Sequence, residues 1–279
     1  MKVIGKSFDE ERAFYGLKNI TVEKCNFEGE ADGESAFKET ENVRISECRF
    51  LLRYPLWHTK NFSMCNSEMA LTCRAPLWYC KGGNITRCTM HSPKALRECE
   101  NVSFNEVTVE SPEFCWNCKD IFFENAELSG EYMFFGTKGL SLKNVKMKGK
   151  YSFQYTENVI IDACEFDTKD AFWHAKNVTV KNSVIKGEYL GWYCENVTFE
   201  NCKIISTQPL CYCKGLRLVN CTMEQADRSF EYSEVHADIK GEIISVKNPL
   251  SGSIRADKIG QIITDAPVYE CSCDIIENK

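Results

Sequence analysis

No stretch of this sequence approaches the ~20 consecutive apolar residues that a membrane-spanning helix requires. The opening residues, Met1 to Phe14, carry charges throughout and no apolar core, so no secretory signal is expected there. An excess of positive charge is missing too, the formal net charge being −6. Such a chain offers no general attraction to phosphate backbones or anionic lipid, and neither nucleic acid nor a membrane surface is expected as a partner. A helical period of apolar side chains is also absent. What the chain has in excess is cysteine, 17 among 279 residues. In a small secreted protein so many would suggest a disulfide framework. Without a signal peptide the expected compartment is the reducing cytoplasm, where thiols act as small, buryable apolar groups.

The informative feature is a repeat. Anchors recur every 19 residues at Asn101, Asp120, Gly139, Asn158, Asn177, Asn196 and Gly215. A less regular set precedes them at Asn19, Asn42, Asn61 and Gly82, with spacings of 23, 19, 21 and 19 that place insertions in the first coils. Only Asn, Asp and Gly occupy the anchor, the residues that most readily adopt positive φ, so the anchor is a turn. A second such column lies five residues on, at Asn66, Asn125, Asn144, Asn182, Asn201 and Asn220.

Between the turns, positions one and three after the anchor are apolar, as in Val159 and Ile161 or Val197 and Phe199. Six and eight after it stand pairs such as Cys48 and Phe50 or Cys164 and Phe166. Each alternation predicts a short strand with one buried face. A third apolar segment precedes the next anchor, as in Leu56-Trp57, Leu77-Trp78, Phe134-Phe135 and Phe172-Trp173, and is read as a third strand. Such coils bury their apolar face only by stacking on one another. The expected fold is therefore all-β, a right-handed parallel β-helix of about eleven coils of 19 residues. It forms a single domain over 1–279, with an N-terminal cap at 1–18, coils at 19–240 and a C-terminal β cap at 241–279. The cap is expected because the register decays after Gly215, where Lys240 and Glu242 fall at core positions.

In that last segment the run Gly241-Glu242-Ile243-Ile244-Ser245-Val246-Lys247-Asn248-Pro249 is followed by Ser251-Gly252, Ala256-Asp257, Ile259-Gly260 and Ile262-Ile263. Together with the coils Glu195-Asn196-Val197-Thr198-Phe199 and Lys214-Gly215-Leu216, it resembles an uncharacterised bacterial family, domain of unknown function 3737. The resemblance covers nearly the whole chain and implies a pectin-lyase-like β-helix of intracellular type. It implies no established activity and no catalytic residues.

The most unusual surface feature is aromatic. Four before the anchor stand Trp57, Trp78, Arg97, Trp116, Phe135, Gln154, Trp173 and Trp192, and five before stand mostly Phe or Leu. Adjacent strand residues point to opposite faces, so one of the two columns is expected to form an apolar stripe facing solvent. With Tyr79, Tyr155, His174 and Tyr193 beside Trp57, Trp78, Trp116, Trp173 and Trp192, that stripe is the candidate binding surface. Two occupants suit it: a second copy of the chain, as a homodimer interface, and a carbohydrate stacking on the rings. The alternative is burial of both columns at coil corners.

Catalysis is the second reading. A carbohydrate-active enzyme on this scaffold, whether polysaccharide lyase or glycoside hydrolase, needs clustered carboxylates across neighbouring coils, or a basic group beside calcium. Asp-rich clusters are missing, and the best improvised set is His58, Arg97 and Glu98, with His58 and Glu98 two coils apart. Polar residues on a solvated face are the simpler explanation, so the chain is expected to be a binding or interaction protein.

No cofactor or metal site is expected. Cys80, Cys99, Cys118, Cys194 and Cys213 share one column in which Thr40, Thr59, Thr137 and Thr156 also occur, and interchange with Thr marks a small inward position more than a ligand set. Stacked side chains also sit too far apart to bridge easily. Cys115-x-x-Cys118, Cys211-x-Cys213 and Cys271-x-Cys273 lack a matched second half. Triplets such as Asn61-Phe62-Ser63 and Asn177-Val178-Thr179 follow from the repeat, the turn supplying Asn and the outward strand position Ser or Thr.

Overall fold

The computed structural model describes residues 1–29 and 35–278, and every helix or strand element among them is a strand. The fold is the expected all-β parallel solenoid, with about 14 turns of about 19 residues among the described residues. Two compact units divide it, Met1–Ser141 and Leu142–Lys279, the division falling within the strand Lys138–Lys150.

The turns bend where the sequence places its small polar anchors. Every anchor is left-handed, from φ 50° at Asn61 to 69° at Gly139, and the second column, Asn66 to Asn220, is left-handed as well. Stacked in this geometry, the amides bond along the solenoid axis. In the first unit Asn42 Nδ2 donates to Asn19 Oδ1 at 3.1 Å. In the second, Asn177 donates to Asn158 at 3.1 Å and Asn196 to Asn177 at 3.2 Å.

In the first unit the parallel register pairs Lys18 with Glu41, Glu41 with Lys60, Lys60 with Lys81 and Lys81 with Glu100. Those offsets are the uneven spacings of the early anchors. In the second unit Glu157 pairs with Lys176 and Lys176 with Glu195.

Three details differ from expectation. Parallel pairing extends beyond 19–240: Lys2–Ile4 lies on Thr21 to Glu23, and Ser251–Ile263 and Asp274–Glu277 continue the second unit. The terminal segments assigned to caps therefore carry solenoid pairing themselves, which raises the turn count above eleven. The loss of register after Gly215 consists of two slips, between Leu218 and Cys221 and between Ile239 and Glu242, where bulges absorb the irregularity and stacking resumes. Finally, the third apolar segment forms two-residue paired strands at Leu56–Trp57 and Leu77–Trp78 and continues as single parallel bridges from Trp78 to Arg97 and from Arg97 to Trp116. At Phe134, Phe153 and Phe172 the backbone is left-handed, with φ of 66°, 63° and 63°, and the segment is a tight corner.

The inward columns make the core of each unit. Phe104 and Phe123 stack at 4.4 Å in the first, and Phe153 and Phe172 at 4.5 Å in the second, all four almost fully buried. Complete burial of a side chain of this size is worth roughly 1.5–3 kcal/mol. The cysteine column runs beside them as a hydrogen-bonded ladder. The amide of Cys80 donates to Cys99 Sγ at 3.3 Å, that of Cys99 to Cys118 Sγ at 3.4 Å, and that of Cys118 to Thr137 Oγ1 at 3.2 Å. The position needs a small acceptor for the preceding turn's N–H, and thiol and hydroxyl both serve.

Candidate functional site

The corner before each anchor decides which aromatic column faces out. Five before the anchor, Leu77, Leu96, Phe134, Phe153 and Phe172 point inward and are buried. Four before it, Trp57, Trp78, Trp116, Trp173 and Trp192 are half-buried on the outside. Three before it, Tyr79, Tyr155, His174 and Tyr193 are again left-handed, with φ of 57–59°, and their rings also point outward. From Leu96 onward a left-handed residue stands on either side of this column, while at Trp57 and Trp78 only the residue after it is left-handed, and this bend brings two adjacent columns to one surface.

In the first unit Trp57 lies 5.2 Å from Trp78, and Trp116 lies 5.4 Å from Phe135. The Arg97 guanidinium fills the place of the missing ring, 4.7 Å from Trp78 and 4.9 Å from Trp116. It also meets Glu113 at 3.0 Å. His58 stacks on Tyr79 at 4.8 Å and 14°. Glu98 is in the turn beyond Tyr79, which stands between the two proposed partners. The structure thus places His58 and Glu98 in one column and Arg97 beside it, while the visible contacts of His58 and Arg97 are ring stacking and an ion pair. Among the described residues no three His, Cys, Asp or Glu side chains converge as metal ligands.

In the second unit the stacking is more regular. Trp173 and Trp192 are 5.4 Å apart and 5° from parallel. Alongside, Tyr155, His174, Tyr193 and Tyr212 form a column with successive separations of 4.9, 5.1 and 4.8 Å and tilts of no more than 12°. Tyr212 is a member that sequence reasoning missed, because its neighbour four before the anchor is the buried Cys211 rather than a Trp. Each indole N–H is used internally, Trp173 Nε1 donating to Tyr189 O at 2.7 Å and Trp192 Nε1 to Gln208 O at 2.8 Å. Indoles held in this way are rigid, and Trp173 and Trp192 each cover one face of the other.

Beside the stripe, one before each anchor, runs a charged column. In the second unit it reads Glu157, Lys176, Glu195 and Lys214, alternating in sign turn by turn, with Lys176 Nζ 3.1 Å from Glu195.

These features define a class, the parallel β-solenoid whose turns stack a rigid aromatic stripe on the outside. The chain belongs to DUF3737, a family described as protein of unknown function, matched over residues 2–276. That is the family which the run from Gly241 to Ile263 resembles. A comparison with curated proteins finds no match. Among solved structures the chain is similar to two modules from Azotobacter vinelandii. The A-module of mannuronan C-5 epimerase AlgE6 is 10% identical, with 99% of this chain and 89% of that one covered and a TM-score of 0.38. The AlgE4 A-module is 8% identical over 99% and 90%, with a TM-score of 0.32. PfbA, a surface adhesin of Streptococcus pneumoniae, is 9% identical over 88% and 80%, with a TM-score of 0.27. Likenesses this remote carry no argument about what the chain does.

Proposed function

We propose that the chain is a non-catalytic interaction module that self-associates, the aromatic stripe of the second unit docking on the same stripe of a second copy. The observation that carries this reading is the column Tyr155, His174, Tyr193 and Tyr212, a rigid ribbon of outward ring edges in which Tyr155 is 51% and Tyr193 43% exposed. A sugar needs an uncovered ring face on which to lie flat, and in the middle of the column the rings of His174 and Tyr193 have neighbouring rings on both faces. A second ribbon of the same pitch needs only edges.

Charge supports the same occupant. A two-fold axis lying in the contact, perpendicular to the solenoid axis and midway between the turns of Lys176 and Glu195, runs the two copies antiparallel. It sets Lys176 against Glu195 of the second copy and Glu157 against its Lys214, so every pair is of opposite sign. A parallel arrangement would set like against like. The alternative of a carbohydrate-active enzyme is less well supported, because His58 and Arg97 are held in ring contacts rather than directed at a common point. A cytoplasmic setting is part of the proposal, supported by 14 buried cysteines whose thiols serve as packing and hydrogen-bonding groups.

Light-scattering mass of the native protein tests the reading. A dimer is expected, which Tyr193→Ala dissociates without loss of β-sheet circular dichroism. Lys176→Glu should weaken it, and Lys176→Glu combined with Glu195→Lys should restore it. A monomer at every concentration would overturn the proposal, as would a dimer indifferent to these substitutions.

A further inference from the structure

The first unit carries a groove of about 710 Å³ on the face formed by the anchors and the strands that follow them, remote in sequence from the stripe just described. It extends over five turns, from Asn19 to Ser103, a length of roughly 20 Å at the ~4.8 Å strand spacing. Its volume is within the ~300–1,000 Å³ of ligand sites, but the apolar lining usual in such sites is replaced by amides and hydroxyls. Asn42, Asn61, Ser63, Asn84 and Ser103 line it, with Arg44 toward one end. Amide side chains and hydroxyls offer both donors and acceptors while carrying no charge. The next turn places the carboxylate of Asp120 at the anchor position, whereas among the residues lining the groove Arg44 is the one charged side chain.

Two further observations point to the ligand. The ladder of anchor amides is interrupted at Gly82, where φ is 66° and an added Cβ would come within 3.0 Å of Asn61 Oδ1. The floor is one side chain deeper there. At the end of the groove Phe122 pairs with Ser103 on the adjacent strand and is 47% exposed. Among the described residues no aromatic ring stacks on it, which makes it unlike the rings of the stripe.

We infer that this groove binds a linear, neutral oligosaccharide along the solenoid axis, with Phe122 as the platform for one sugar ring. A pyranose has an apolar face of C–H groups and a rim of hydroxyls that both donate and accept. An exposed phenyl on which no ring among the described residues stacks, beside a row of amides and hydroxyls, is complementary to both. The repeat adds register, because an extended chain of sugars meets an equivalent set of side chains at each turn. This inference rests on the first unit alone and is independent of self-association.

The test is calorimetric titration of the full chain with maltohexaose and cellohexaose, with hexagalacturonate as the anionic comparator. One neutral hexasaccharide is expected to bind, and Phe122→Ala and Gly82→Asn should each weaken it by about tenfold or more, the equivalent of ~1.4 kcal/mol. Both variants should keep the native circular dichroism and oligomeric mass, since Phe122 points outward and Asn suits the anchor's positive φ. Binding unaffected by either substitution would overturn the site. Absence of binding by both neutral hexasaccharides would overturn the ligand class, as would tighter binding of hexagalacturonate that Arg44→Gln abolishes.

Discussion

Burial decides the chemistry of single residues here. Desolvation pushes the thiols of Cys48, Cys88 and Cys164 up to about 11 and that of Cys73 to about 12, which leaves almost no thiolate at neutral pH. Only Cys65, Cys271 and Cys273 are partly exposed. A thiol reagent should therefore modify no more than these three in the native protein, with Cys273, also raised to about 11 by burial, the slowest of them. Counting labelled cysteines before and after denaturation checks this. Asp170 is 7% exposed, and desolvation raises its carboxyl above the ordinary range. The folded state then holds the proton more tightly than the unfolded chain, so the associated stability is complete below the unfolded pKa and is lost as pH rises through the raised one. Asp170→Asn should raise the melting temperature at neutral pH, and the gain should vanish in acid. Glu41 has the opposite sign: a hydrogen bond and the charge of Lys18 hold it low, and its contribution is lost as pH falls.

At the scale of the turn, the anchor is both a backbone and a side-chain device. Asn196 combines φ of 54° with an amide bond to Asn177. Asn196→Gly keeps the backbone freedom and loses the amide, at about 1 kcal/mol for a hydrogen bond. Asn196→Ala adds the left-handed penalty of roughly 1–2 kcal/mol. Denaturant unfolding should rank native, Gly and Ala in that order, and an Ala variant as stable as the Gly variant would contradict the account. These corners were legible because Asn, Asp and Gly mark positive φ directly. The corner before the anchor was not, since Phe153, Phe172, Tyr155 and Tyr193 are all left-handed there without belonging to a type that favours it. Tertiary packing imposes that conformation, and a strand was the natural reading of Phe172-Trp173. The inward and outward aromatic columns could not be told apart for the same reason.

Over the whole molecule, the family and the solenoid were legible because a repeat states its period many times. The ends were less so, since bulges near Leu218 and Ile239 shift the pattern that identifies a turn. The stripe was visible as a column of Trp, while the groove of the first unit was hidden among Asn, Ser and Thr that the repeat itself explains. Phe122, an aromatic residue in an outward column that otherwise reads Thr21, Arg44, Ser63, Asn84 and Ser103, was the available signal. Because charge complementarity guides the proposed association, added salt should loosen the dimer measured by light scattering.

The one-turn register also bears on how the chain reaches this state. Lys176 meets Glu195 19 residues away in a chain of 279, a relative separation of about 0.07, which is more typical of helical bundles than of sheet proteins. No pairing between neighbouring turns requires the distant ends of the chain to meet. Each added turn closes a loop of about the same length and the same entropic cost, so folding can spread from turn to turn as the polypeptide leaves the ribosome.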